Sequence, residues 1–261
     1  MSVPQGCFVV HSPGSLALVQ DLGRPGYAAL GVPHAGAADV PAYRLANRLV
    51  GNGEDAACLE VTFGGLAGEF SRGRWFALTG VDADARLDGD PVAPNAPRYA
   101  RPGQRLRLGH PRCGVRTYLA FAGGIDVPPV LGSRSADLMS GLGPPPLRAG
   151  LRLPLGSPPG SALTVDLAPV AGLPAAPVLD VVPGPRDDWF SEDALRLLTS
   201  VPYTVAAEAN RVGIRLSGPA LGRARTRGAA VGGHGDGSPP GAARGPADPL
   251  PERIRPQAVV P

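Results

Sequence analysis

The chain has 261 residues, a formal net charge of +3 and 43% hydrophobic residues. This length and composition suit one large or two small globular domains with a buried core. All 25 basic residues are arginine, so this polypeptide offers no lysine for a phosphate-binding P-loop, a Schiff base or a biotinyl group. Residues 222–261 carry the excess positive charge. The remainder is neutral and poor in aromatic residues, which argues against nucleic acid as a partner.

Signals for a membrane or an oxidising compartment are missing from the sequence. No apolar stretch approaches the roughly 20 residues that a membrane helix needs, and the first 15 residues lack the pattern of a signal peptide. The cysteines Cys7, Cys58 and Cys113 are odd in number and widely spaced. We therefore expect buried free thiols, no metal site, and a cytoplasmic protein without a membrane partner.

Short apolar runs separated by glycine, proline or Asp-Gly turns predict a mainly β protein, with the strands of a barrel or a sandwich. The 37 glycines and 32 prolines support many turns. The predicted strands are Cys7–Val10, Leu16–Gln20, Cys58–Thr62, Trp75–Thr79, Arg105–Leu108, Val115–Phe121, Leu163–Leu167, Val178–Val182 and Val212–Leu216.

Two short helices are also predicted. Asp39 can cap a helix that runs to Leu49 and stops at Gly51. Its apolar face comprises Tyr43, Ala46, Leu49 and Val50. Ser191 can cap a second helix, with Glu192 and Asp193 in its first turn, that ends near Leu198.

Proline-rich stretches at 144–160 and 169–177 predict a boundary between two sub-barrels. Residues 1–160 then form the first half and residues 161–221 the start of a second half. Residues 222–261 lack aromatic side chains and apolar periodicity, so we expect this tail to be disordered.

Polar residues at the N-terminal motif are the first candidates for binding. Gln20, Asp21 and Arg24 share a turn after a strand, where Asp21 can pair with Arg24, cap the turn or contact a ligand. Asp39 can act as a helix cap or as a base. Asn47 lies at the edge of the helix's apolar stripe and can bond to a neighbouring loop or to a ligand.

Two further titratable residues stand out. His34 titrates near neutral pH and is suited to acid–base chemistry. Glu60 lies in an apolar strand and needs a partner such as arginine if it is buried. No serine-protease-like triad can be assembled, and the four histidines are too scattered to form a metal site.

The segment Tyr118–Gly143 carries the strongest signal. Its apolar run stops at two glycines, which allow a close approach of a ligand or of another chain segment. A second turn then offers two hydroxyls and the arginine fork of Arg134, which suits a carboxylate, a carbamate or a phosphate. An ordinary strand, turn and surface loop is the alternative. The candidate residues are Gly123, Gly124, Ser133, Arg134 and Ser135.

A further polar block is Asn210–Arg215, which reads NRVGIR and follows Ala209. As a strand it would place Arg211, Gly213 and Arg215 on one face. Asn210, Arg211 and Arg215 are therefore candidates for binding phosphate or substrate, and a solvated strand face is the alternative.

Six blocks occur in the order expected for a known family. They are SLALVQDLGRPGYAALGVPHAGAADVPAYRLANRLVGN (Ser15–Asn52), ACLEVTFGG (Ala57–Gly65), FALTGVDA (Phe76–Ala83), YLAFAGGIDVPPVLGSRSADLMSGLG (Tyr118–Gly143), GPRDDWF (Gly184–Phe190) and ANRVGIRLSGP (Ala209–Pro219). Between Val9 and Leu221 the chain resembles the allophanate hydrolase subunit 2 family, also called the biotin-dependent carboxyltransferase A/B subdomain family. His34, Ala136 and Ala209 depart from that family's pattern.

The resemblance implies a cyclophilin-like β-barrel architecture. The family's C-terminal SEG and GGYP blocks are missing after Leu221, so we expect an incomplete second sub-barrel. A frameshift or a misannotated 3′ end is our hypothesis for residues 222–261, and a natural tail is the alternative.

The resemblance also implies a function. The chain would be the C subunit of an ATP-dependent 5-oxoprolinase, which opens 5-oxoproline to glutamate together with a KipI-like B subunit and a LamB/YcsF-like A subunit. ATP would be bound through the complex, with the motif arginines and glycines contacting phosphate or carboxylate groups between subunits. Two alternatives remain: a carboxyltransferase acting on urea or a related amide, with biotin on another chain, and a non-catalytic regulator of a KipI-like kinase inhibitor.

Overall fold

The computed structural model describes residues 6–160, 163, 165–170, 180–206, 211 and 213–224. The chain divides into two compact units, Met1–Gly172 and Leu173–Pro261. Asn210 and nearly all of the tail predicted to be disordered lie outside the described residues. The domain limits proposed at residues 160 and 221 stay predictions.

In its described residues the first unit contains eleven strands, one α-helix and a short 3-10 helix at Ala28–Leu30. The strands are β1 (Cys7–Pro13), β2 (Leu16–Gln20), β3 (Cys58–Thr62), β4 (Leu66–Phe70), β5 (Arg74–Gly80), β6 (Ala85–Leu87), β7 (Asp90–Pro91), β8 (Pro97–Ala100), β9 (Arg105–Leu108), β10 (Arg116–Phe121) and β11 (Arg152–Pro154), and the helix is α1 (Val40–Leu49). In the second unit the described elements are a 3-10 helix at Asp187–Trp189, α2 (Glu192–Ser200), β12 (Thr204–Val205) and β13 (Leu216–Ser217).

The strands of the first unit form two antiparallel sheets. One has the order β11-β1-β4-β9-β6-β7 and the other the order β2-β3-β10-β5-β8. The mainly β prediction with two short helices is therefore confirmed. Among the described residues the strand pairing does not join the two sheets into one closed barrel.

The main core contains side chains from both sheets. Phe8 packs against Phe70 and Phe121 with ring centroids 5.2 and 5.1 Å apart. Strand β10 is buried on both faces, because Leu119 and Phe121 belong to this core while Tyr118 and Ala120 pack in a second cluster with α1. This burial on both faces explains why the β10 sequence is continuously apolar.

Both helices begin at the predicted caps. Asp39 Oδ1 accepts the Ala42 backbone N–H at 3.0 Å, and Ser191 Oγ accepts that of Ala194 at 3.2 Å. The apolar face predicted for α1 is buried in the second core cluster. Helix α2 continues to Ser200, two residues past its predicted end.

A loop segment covers the outer edge of β2. The backbone N–H of Ala136 donates to Val19 O, and that of Leu147 donates to Ala17 O, both at 2.9 Å. An exposed strand edge would leave these carbonyls unpaired. These hydrogen bonds bring the Gly132–Ala136 segment beside the end of β2, where the N-terminal motif lies.

Some strand predictions are wrong. The described residues of Leu163–Leu167 are not in a strand, and neither are Gly213, Ile214 and Arg215. In Val178–Val182 the described residues lie outside the strands given above. Strand β4 was missed because Gly68 and Glu69 break its apolar pattern. A Cβ on Gly68 would lie 2.4 Å from the Phe8 ring, so core packing requires glycine there.

The cysteine prediction holds only in part. Cys58 is buried, Cys7 is half-buried and Cys113 is exposed, and all three are free thiols. In the described part of the chain, no His, Cys, Asp or Glu group is arranged to hold a metal ion. No helix in that part is both long and apolar enough to cross a bilayer.

Candidate functional site

Three loops meet at the C-terminal end of β2. The first is Gln20–Arg24, the second contains residues 34–37, and the third is residues 130–137. The Arg24 backbone N–H donates to His34 O at 2.8 Å, and the Ala37 N–H donates to Asp21 O at 2.9 Å. We call this meeting point the loop junction. It brings together six of the predicted site residues: Gln20, Asp21, Arg24, Ser133, Arg134 and Ser135.

Asp21 is the centre of the loop junction. Its Oδ1 accepts from Gly23 N at 2.8 Å, Ser133 Oγ at 2.6 Å and Ser135 Oγ at 2.5 Å, and its Oδ2 accepts from Arg134 N at 2.5 Å. Asp21 therefore caps its own turn through the Gly23 N–H, as one of the predicted alternatives stated. The same carboxylate also caps the turn at Ser133–Ser135. An ion pair between Asp21 and Arg24 is not among the salt bridges of the described residues.

Gln20 and Arg24 hold the third loop from the side. Gln20 Nε2 donates to Ala136 O at 2.9 Å, and the Arg24 guanidinium donates to Ser135 O and, at 3.4 Å, to Val130 O. Arg24 is 1% exposed. Its Nη1 and the Oε1 of Gln20 are buried without a hydrogen-bond partner. Both side chains therefore position the third loop rather than face solvent.

Arg134 lies on a tight turn that the junction supports. Val130 N and Ser133 O are 2.8 Å apart across it, with positive φ angles of 51° at Leu131 and 78° at Gly132. The Arg134 side chain is 38% exposed. Its Nε donates to Val127 O at 2.8 Å, and its Nη2 lies 3.5 Å from Asp126 Oδ1. One edge of the guanidinium is thus held, while the side chain keeps access to a ligand.

Asn47 and Gly123 meet at a different place, through Asn52. Asn47 Nδ2 donates to Ala56 O at 2.8 Å, and Asn52 Nδ2 donates to Asn47 Oδ1 at 2.9 Å. Asn52 Oδ1 accepts the Gly123 N–H at 2.7 Å. For Asn47, the interpretation as a bond to a neighbouring loop is confirmed. Asn52 was missed, although its position right after the helix stop at Gly51 was a usable signal.

The two glycines after β10 allow a close approach of the chain to itself. A Cβ on Gly123 would lie 2.5 Å from Gly156 O, and the φ of Gly123 is 89°. Gly124 O accepts the Gly156 N–H at 3.0 Å. The neighbour that requires glycine at position 123 is therefore the 156–157 backbone.

The backbone of Asp39, an exposed residue, contacts a buried pair of side chains beside α1. Its backbone N–H donates to the Tyr118 hydroxyl at 2.7 Å, and that hydroxyl donates to Glu60 Oε2 at 2.9 Å. Glu60 is 1% exposed and its Oε1 lies 3.5 Å from Arg116 Nε, which confirms the expected arginine partner. Burial, reinforced by the Glu60 charge, raises the pKa of Tyr118 far above its ordinary value. Tyr118 therefore stays a hydrogen-bond donor.

His34 shows no arrangement for acid–base chemistry. Its ring Nδ1 lies 3.1 Å from the carbonyl of the adjacent Ala35 in an exposed position. In the described part of the chain, no carboxylate forms a salt bridge or a hydrogen bond with the His34 ring. What His34 contributes to the loop junction is its main-chain carbonyl.

The second unit contains the other two described candidates. Arg215 is exposed, and its carbonyl accepts the Ala206 N–H at 2.9 Å. Arg211 is half-buried. Strand β13 pairs with Thr204–Val205 through Leu216 and Ser217, while Arg211, Gly213 and Arg215 lie outside any strand in the described part of this segment. The predicted strand face of these three residues is therefore wrong.

Comparison with known families gives one clear match. The family described as carboxyltransferase domain, subdomain A and B, matches residues 30–248. This range contains the Asp39, Asn47, Gly123 and Arg134 positions and extends past Leu221, where the resemblance was expected to end.

Bacterial relatives cover most of the chain. It is 41% identical over 217 residues to the 5-oxoprolinase C subunit of Escherichia coli (strain K12), with 82% of this chain and 69% of that protein covered. The corresponding protein of Haemophilus influenzae is 30% identical over 210 residues, with 79% and 67% covered. Urea amidolyase of Lachancea kluyveri is 36% identical over 230 residues, which cover 81% of this chain but 13% of the much longer enzyme.

Solved structures show the same fold. A crystal structure of TTHA0988 superposes with a TM-score of 0.73 at 37% identity, covering 82% of this chain and 79% of that one. The Kluyveromyces lactis urea amidolyase superposes with a TM-score of 0.77 at 32% identity, covering 86% of this chain and 15% of that one.

Proposed function

This chain belongs to the carboxyltransferase domain family, subdomain A and B, and on that premise we propose that it acts as the C subunit of a 5-oxoprolinase. The observation that carries this proposal is its similarity to two bacterial 5-oxoprolinase C subunits over most of both chains. The urea amidolyases match through a small part of their length, so they support the family more than the activity.

The proposed reaction is the ATP-dependent opening of 5-oxoproline to glutamate. A KipI-like B subunit and a LamB/YcsF-like A subunit would complete the complex, and ATP would be bound through it. In this proposal Arg134 binds the substrate carboxylate or a phosphate group at an interface between subunits. Its fixed Nε and 38% exposed side chain support that role, because a guanidinium held along one edge loses little freedom on binding.

The loop junction supports a shared rather than a self-contained site. Asp21 accepts four hydrogen bonds from the chain itself, and Ser133 and Ser135 are buried to 1% and 0% exposure. These groups hold the loops and are not accessible as a base or nucleophiles. The chain also has no lysine, so the partner proteins would supply the remaining chemistry.

The test is reconstitution. The purified chain is assayed for glutamate release from 5-oxoproline and ATP, alone and with the KipI-like and LamB/YcsF-like partners. We expect release only from the full mixture. Release by the isolated chain would refute the shared site, and no release from a correctly assembled complex would refute the 5-oxoprolinase assignment.

The second candidate is a carboxyltransferase acting on urea or a related amide, with biotin on another chain. The structural similarity to urea amidolyase favours it. Genomic neighbours separate the two candidates: genes for KipI-like and LamB/YcsF-like proteins support 5-oxoprolinase, and genes for biotin carboxylase and a biotin carrier support the carboxyltransferase.

A further inference from the structure

A cavity of about 480 Å3 lies on the first unit, and none of its described lining residues belongs to the loop junction. Its volume is in the range of small-molecule sites. The described lining residues are Val50, Trp75, Pro97, Ala122, Pro158, Pro159, Leu163, Val165 and Asp166. Nothing in the proposed 5-oxoprolinase role uses this cavity.

Trp75 gives the cavity an aromatic wall. The chain has only two tryptophans, and this one is 41% exposed on strand β5. It pairs across the strands with Tyr99, with ring centroids 5.4 Å apart. Part of the indole surface therefore remains available for contact with a ligand.

The cavity walls are fixed at one end by a buried arginine. Arg74 is 3% exposed, and its Nη1 donates to Ala122 O at 2.7 Å and to Gly156 O at 2.8 Å. Ala122 N in turn donates to Trp75 O at 2.9 Å. The arginine therefore ties the end of β10 to the chain that leads into Pro158 and Pro159.

The opposite end is fixed by the backbone. The Ala168 N–H donates to Asn95 O at 2.8 Å, and the Asn95 N–H donates to Leu78 O at 2.7 Å. Ala168 also packs against the core cluster beneath α1. Hydrogen bonds of Gly156 and Ala168 to the rest of the first unit thus flank the described wall residues on both sides.

The charge of the lining selects the ligand. Among the described lining residues Asp166 is the one charged group, and it is exposed. Arginine and histidine are missing from the same set, so these described residues offer no cationic side chain to an anionic ligand. A carboxylate and an indole that line the same cavity suit a cation, which can gain from both the ion pair and the ring face.

We propose that this cavity binds a small organic cation, an amine or ammonium group on an apolar body, with Trp75 contacting the body and Asp166 pairing with the charge. The same chemistry occurs elsewhere in the chain, where the Arg186 guanidinium lies 4.7 Å from the ring centroid of Trp189. The cation over the Trp189 ring is a side chain of the protein, whereas the cation at Trp75 would belong to the ligand.

Three matched probes test the proposal on the full chain: phenethylammonium, 2-phenylethanol and phenylacetate. Binding is followed by the Trp75 indole N–H signal in two-dimensional NMR, assigned with Trp75→Phe. The Trp189 signal serves as the internal control. We expect phenethylammonium to shift the Trp75 signal, 2-phenylethanol to bind more weakly, and phenylacetate to bind weakest.

Asp166→Asn tests the charge without disturbing a buried group. It should weaken phenethylammonium binding about two- to five-fold and leave 2-phenylethanol unchanged. Asp90→Asn, at an exposed acidic residue outside the cavity lining, should change neither. Equal binding of the cation and the anion, an unmoved Trp75 signal, or an unchanged cation affinity in Asp166→Asn would overturn the proposal.

Discussion

The backbone N–H of Arg134 donates to Oδ2 of Asp21 at 2.5 Å and so joins loops that are 113 residues apart in the chain. The same carboxylate accepts the hydroxyls on either side of Arg134 through Ser133 and Ser135. A single acidic residue in one motif therefore sets the conformation of the arginine turn in the other. The two motifs are one structural unit.

Asp21→Asn should destabilise the first unit. An asparagine keeps one carbonyl oxygen for four donors and turns an NH2 group toward at least one of them. Loss of charge-assisted bonds at this 8% exposed site should lower the free energy of unfolding by about 1.5–3 kcal/mol. Urea denaturation measures the change, with Asp90→Asn as an exposed control. Equal stability of the two variants would show that the carboxylate is dispensable.

Asp137 is the last residue of the third loop of the loop junction, and its pKa predicts an effect of pH on stability. Burial alone would raise its pKa, but hydrogen bonds from the Ser140 hydroxyl and the Met139 and Ser140 backbone outweigh burial and lower it. A lowered pKa in the folded state stabilises the protein above the unfolded value of about 4, and that stabilisation is lost as the pH falls through the folded value.

The measurement compares the wild-type chain with Asp137→Asn by urea denaturation from neutral to acid pH. The wild type should be more stable at neutral pH, and the gap should close below about pH 4. A gap that stays constant across this range would mean that the Asp137 charge contributes nothing.

Local features of the fold could be predicted from the sequence. Asp39 and Ser191 cap their helices through bonds to a residue three positions away, so a short window contains all the information. Strand β4 could not be recognised this way. Its Gly68 is required by the distant Phe8 ring, and no local pattern shows that constraint.

In the candidate site, too, local features could be predicted from the sequence and long-range contacts could not. Both halves of the loop junction could be recognised as polar motifs, but the bond from Ser133 to Asp21 spans 112 residues and no spacing rule predicts it. For Glu60, burial among apolar neighbours was enough to predict an arginine partner. The second partner of Glu60 is Tyr118. It could not be predicted because Tyr118 lies in an apolar run of the sequence.

Gly123→Ala should be strongly destabilising, and Gly103→Ala is its matched control. Both glycines have positive φ angles, 89° and 82°, but a Cβ on Gly103 meets nothing within 4 Å. Gly103→Ala should therefore cost about 1 kcal/mol from the backbone alone. Gly123→Ala adds the overlap with Gly156 O and should cost about 2–4 kcal/mol. Equal midpoints in thermal unfolding would show that the 156–157 chain moves aside freely.

Arg134→Lys tests the central site residue in the reconstituted complex. Lysine keeps the positive charge but loses the planar fork and the Nε–H that donates to Val127 O. Loss of one charge-assisted pair is worth roughly 1.5–3 kcal/mol, so we expect glutamate release to fall about 10- to 150-fold. Arg148→Lys, at an exposed arginine, should leave the rate unchanged. Thermal unfolding of both variants separates a binding defect from a folding defect. A stable and fully active Arg134→Lys complex would show that this arginine does not bind the substrate.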